Sequence, residues 1–85
     1  MIAPSALDQF MSPSSGWLTP QAAKQLVDWQ LSPELRSRVE ELGLKASTGT
    51  LTSEENAEYR EYLDDAEVIS LLQTKARRLF LRVND

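Results

Sequence analysis

The chain has 85 residues, with nine Lys or Arg against thirteen Asp or Glu, no Cys and no His, and a formal net charge of −4. A chain this short normally makes one domain with one small core, burying only ~60–65% of the surface it exposes when unfolded. The missing Cys and His exclude disulfide staples, thiolate or imidazole zinc sites, Cys or His nucleophiles and the imidazole general base. The negative charge excludes a whole-molecule positive field that would gather nucleic acid or anionic lipid.

No apolar run approaches the ~20 residues that cross a bilayer. Residues 1–16 lack the basic and apolar regions of a signal peptide, so a cytoplasmic protein without a membrane role is expected. The absence of Cys agrees with a reducing compartment.

In chain order, residues 1–18 read as an irregular N-terminal arm. Ser, Pro and Gly recur there, and Ile2, Leu7, Phe10 and Met11 follow no sustained period. Disorder is the plain reading, yet Phe10, Met11 and Trp17 are large enough to dock on a groove in the same chain or in another. The helical domain is expected over 19–85. Thr19-Pro20 supplies a capping hydroxyl followed by a residue suited to the first helical position, which predicts a helix over about 20–31. Its apolar face is Ala22, Ala23, Leu26, Val27 and Trp29, with Trp29 expected in the core.

Ser32-Pro33 repeats the start signal and, because a residue before Pro leaves the α region, also bounds the first helix. The second helix, about 33–47, carries Leu35, Val39 and Leu42 as an apolar stripe, with Glu34/Arg38 and Glu41/Lys45 at i,i+4 on its charged face. Gly43 is a candidate stop, but Leu44, Lys45 and Ala46 favour continuation to about Ser47, with Gly49 as the turn.

Thr52-Ser53-Glu54-Glu55 is a capping box, and no Gly or Pro follows it. One helix over about 53–83 is the simplest expectation, although Asp64-Asp65 can also cap a separate one. Within it Tyr59, Tyr62, Ala66, Ile69, Gln73, Ala76, Phe80 and Val83 alternate steps of three and four, a seam that wants a partner helix. The expected fold is all-α, a small antiparallel three-helix domain with a long C-terminal helix behind the irregular arm. Val68, Leu71, Leu72, Leu79 and Leu81 add apolar groups on other faces, which two short helices cover only in part. Burial of some of this surface against another protein, or in a homodimer, is expected.

No residue pattern here carries catalysis, cofactor binding or metal binding. Glu54, Glu58, Glu61 and Asp65 share a helix face, but acids near a helix N-terminus are favoured by the dipole and have nothing to dehydrate an ion. Asp64, Asp65 and Glu67 lack the EF-hand spacing. Lys75, Arg77, Arg78 and Arg82 form the one basic patch. It can meet phosphates weakly, which would make a dimeric nucleic-acid binder, or it can simply complement the helix C-terminus. A more specific use is docking of a protein partner through Phe80 and Leu81 with Arg78 and Arg82 as a polar rim, and Trp17 as a further anchor. Phe80 and Leu81 point about 100° apart, so one intramolecular groove does not readily bury both.

From Leu31 to Phe80 the chain resembles a group of small bacterial helical proteins. In these an R-x-R-V-x-E-L helix, a G-T-L-T-x-E-E turn and an L-L-Q-x-K-A-R-R end recur in order, here Arg36 to Leu42, Gly49 to Glu55 and Leu71 to Arg78. Members are often encoded beside HNH-type nucleases or toxin-like proteins. The resemblance implies an accessory or antitoxin-like regulatory subunit of a larger bacterial enzyme or toxin, and no catalytic residue.

Overall fold

The computed structural model describes residues 5–80. Every regular element among them is helical: α1 (Ala6–Met11), a 3-10 turn (Pro13–Ser15), α2 (Pro20–Asp28), α3 (Pro33–Thr48) and α4 (Ser53–Phe80). The protein is all-α with a long C-terminal helix. It differs from the expected single three-helix domain in having four helices and two compact units. The first unit takes residues up to Trp29 with α4 from Ser70 onward, and the second is Gln30–Ile69.

In the first unit the expected irregular arm is instead ordered around α1. Ser5 Oγ accepts from the Asp8 amide at 3.0 Å and caps the helix. Six residues are too few for a helix to persist on its own propensity, so packing must hold it. Met11, 1% exposed, does this by joining Leu18, Ala23 and Ala76 in a buried cluster flanked by Leu7, Leu26, Val27 and Leu72. Ala23 and Ala76 are both fully buried in it.

Thr19 Oγ1 accepts from the Ala22 amide at 3.1 Å, and Pro20 opens α2 as expected. The helix stops at Asp28, short of Leu31, because the Gln73 side-chain amide donates to the carbonyls of both Leu26 and Trp29, each at 3.0 Å. The Leu26 carbonyl also accepts from the Trp29 amide at 3.3 Å, so Gln73 adds a second bond there and supplies a partner to the Trp29 carbonyl. The interaction also explains why a polar residue occupies the seam. Trp29 is then the extended C-cap residue. Its side chain leaves the face of Ala22, Ala23, Leu26 and Val27 and is 50% exposed, which corrects its expected core position.

In the second unit, Ser32 caps α3 through the Leu35 amide at 3.2 Å. The helix passes through Gly43 and ends in a Schellman motif: Gly49, at φ 72°, donates to Ala46 O at 3.2 Å and Thr50 donates to Lys45 O at 2.9 Å. The capping box closes in both directions, the Glu55 amide donating to Thr52 Oγ1 and the Thr52 amide to Glu55 Oε1, both at 3.1 Å. Helix α4 runs unbroken through Asp64-Asp65 to Phe80, and its expected continuation to Val83 lies outside the described residues. All seam positions from Tyr59 to Phe80 are at least partly buried, whereas Leu63, Val68 and Leu71 are about half exposed.

Candidate functional site

The basic patch on α4 is engaged within its own unit. Asp8 Oδ1 accepts from Lys75 Nζ at 2.5 Å and from an Arg78 guanidinium nitrogen at 2.7 Å. Lys75 and Asp8 are shielded, at 14% and 21% side-chain exposure, whereas Arg78 stays half exposed. The hydrogen bond from Lys75 holds the Asp8 carboxyl below its usual range, and the positive charges of Arg78 and Lys75 add to it against partial desolvation. Two of the four cations proposed for nucleic acid, Lys75 and Arg78, are thus paired with a carboxylate. Arg77 is exposed, and Arg82 lies outside the described residues.

Of the sequence-predicted docking residues, Trp17, Arg78 and Phe80 lie among the described residues. Phe80 is partly buried and packs against the Met11–Leu18–Ala23–Ala76 cluster, as its seam position predicts. Leu81 and Arg82 lie outside the described residues. Trp17 does sit at the surface, 53% exposed, with an aromatic neighbour that sequence reasoning did not pair with it. Its ring lies 4.9 Å from that of Phe10 with the planes tilted by 43°, and its Nε1 donates to Phe10 O at 2.6 Å. The hydrogen bond satisfies the indole polar group while both side chains stay more than half exposed.

In the second unit the carboxylates divide into two kinds. Arg38 grips Glu58 with two parallel bonds, Nε to Oε2 at 2.9 Å and a terminal nitrogen to Oε1 at 2.8 Å, and also donates to Glu41 at 3.0 Å. Lys45 donates to Glu55 at 2.6 Å. These pairs are nested about the Gly49 turn, so α3 and the start of α4 run antiparallel. The expected Glu34/Arg38 pairing gives way to this cross-helix fork, while Glu41/Lys45 persists at 3.8 Å. The Arg38 hydrogen bonds lower the Glu58 pKa, the Lys45 hydrogen bond lowers that of Glu55, and both cations are pushed upward in return. Glu61 and Asp65, by contrast, make no ion pair among the described residues. With the paired Arg38 and Glu58 they border a groove of about 180 Å³ whose apolar lining is Leu35, Val39, Leu42 and Tyr62.

The fold and its surface define a small all-α protein whose features are apolar and ionic patches. Compared with known proteins, the chain matches no family model, no curated protein and no solved structure. Among the described residues no helix is long and apolar enough to cross a membrane, and no group of three carboxylates is placed to hold a metal ion. Two elements of the surface escaped the sequence reading. Asp8 had a signal, since Ser5-Ala6-Leu7-Asp8 has capping-box spacing, but its basic partners lie some seventy positions away. The groove had none, because it exists only where α3 and α4 meet.

Proposed function

We propose that this chain is a non-catalytic protein–protein interaction module, an accessory or antitoxin-like regulatory subunit of a larger bacterial enzyme or toxin such as a nuclease. The observation that carries the reading is the exposed aromatic pair of Phe10 and Trp17, 59% and 53% exposed, held in place by the indole hydrogen bond. Leu35, Leu44, Leu63, Val68 and Leu71 are further exposed apolar side chains. The resemblance of three segments to those of small bacterial helical proteins fits the same reading. Capture of Lys75 and Arg78 by Asp8 favours this reading over a nucleic-acid binder, since paired cations release fewer counterions.

The test is to cross-link the tagged full chain in its own host, identify a stoichiometric protein partner and titrate it in purified form. Phe10→Ala with Trp17→Ala should weaken that association by at least about 2 kcal/mol while the circular dichroism spectrum is retained. Steeply salt-dependent binding to duplex DNA or RNA, with no protein partner recovered, would replace this reading with the nucleic-acid one.

A further inference from the structure

The charge of the chain is segregated between its two units. Residues 30–69 hold ten carboxylates against four cations, a formal net charge of −6, while the remaining residues hold three against five, a net of +2. Within the negative unit, Glu55 and Glu58 are neutralised by Lys45 and Arg38. Glu61 and Asp65, one helical turn apart, keep their charge unpaired among the described residues, at the border of the groove between α3 and α4. Leu42, 1% exposed, forms its floor, and Leu35, 43% exposed, stands at its open side.

We propose that this groove docks an amphipathic helix of a partner protein that carries Lys or Arg beside its apolar stripe. The apolar residues of that helix rest on Leu35, Val39 and Tyr62, and its cations reach Glu61 and Asp65 along their aliphatic stems. Size separates this occupant from a small molecule. At about 180 Å³ the groove falls below the ~300–1,000 Å³ typical of small-molecule sites, yet it admits the one or two side chains that a docked helix inserts. Charge selects the sign of the partner: an acidic helix would meet an uncompensated field of the same sign, and a basic one is steered by it. The proposal rests on the interaction-module reading and names the chemistry of a partner for a surface separate from the Phe10–Trp17 pair.

The experiment uses the full chain and a labelled amphipathic peptide of Leu and Lys, with a Leu and Glu peptide of the same apolar pattern as control, read by fluorescence anisotropy. The Leu/Lys peptide should bind and the Leu/Glu peptide should not. Glu61→Gln with Asp65→Asn should weaken binding at least about tenfold, and Leu35→Ser several-fold, with helix content unchanged. Glu40→Gln with Glu67→Gln removes the same charge away from the groove and should change affinity less than about twofold. Equal losses in the two double variants would show diffuse attraction and overturn the proposal. So would no binding by the native chain, or full displacement by spermidine together with indifference to Leu35→Ser. If the groove variants fail to alter peptide binding while Phe10→Ala with Trp17→Ala still abolishes capture of the native partner, the module reading stands and the groove proposal alone falls.

Discussion

The two units reach stability by different routes. The first is organised around buried apolar side chains, Met11, Ala23 and Ala76 from three helices and Leu18 from the segment before α2, and its Asp8–Lys75–Arg78 node ties residues about seventy positions apart. The second has Leu42 as its deeply buried side chain and leans on helix caps and on ion pairs across one tight turn. Long-range burial therefore decides the first unit and local chemistry most of the second. Their surfaces differ too: Lys75 and Arg78 of the first are paired with Asp8, while Glu61 and Asp65 of the second make no ion pair among the described residues.

The largest expected effect is on the apolar cores. Met11→Ala should cost ~2–5 kcal/mol and speed amide exchange first in residues 6–28 and 70–80, whereas Leu42→Ala should cost a similar amount and act first on 33–48 and 53–69. Hydrogen exchange followed by mass spectrometry reads both. A uniform acceleration from either substitution would erase the distinction between the units.

Acid comes next. Asp8, Glu55 and Glu58 have folded-state pKa values below their ordinary ones, so each contributes stability that is present above the ordinary carboxylate range and is lost as pH falls through the folded values. Melting temperature should fall as the pH drops below about 4, with α1 loosening as Asp8 is protonated. Asp8→Asn should bring that loosening to neutral pH and remove its pH dependence. In the opposite direction, the raised Lys45 pKa contributes stability that persists below its ordinary value and disappears in strong alkali.

Salt gives a smaller and more selective effect. At about 1 M the screening length shrinks to ~3 Å, which should weaken the exposed pairs of Arg38 and Lys45 while leaving Met11 and its neighbours unaffected. Amide exchange near the Gly49 turn should rise before exchange in α1 does, and the reverse order would contradict the contrast drawn above. The smallest effect is a gain. A Cβ at Gly43 would meet only the Tyr59 hydroxyl, at 3.5 Å, in ordinary contact within a continuous helix. Gly43→Ala should therefore stabilise the protein by up to about 1 kcal/mol in urea titration.

What the sequence by itself determined were the features written within a few positions of each other. The caps at Thr19, Ser32 and Thr52, the Gly49 stop and the seam from Tyr59 to Phe80 all follow from hydrogen bonds and periodicity over three or four residues, and all stand in the structure. The tertiary structure alone decided what depends on distant partners. A six-residue helix has no periodic signature, so α1 became definable only once Met11 had a buried site against Ala23 and Ala76. The early end of α2, and with it the exposure of Trp29, rests on Gln73, more than forty positions away. Phe80 follows the seam, and its periodicity fixes a face while only packing shows how far that face is covered. The groove beside Glu61 and Asp65 belongs to the same class. Each wall is visible as a helix face, but a concave site arises only where α3 and α4 pack, and no single-helix pattern encodes that distance.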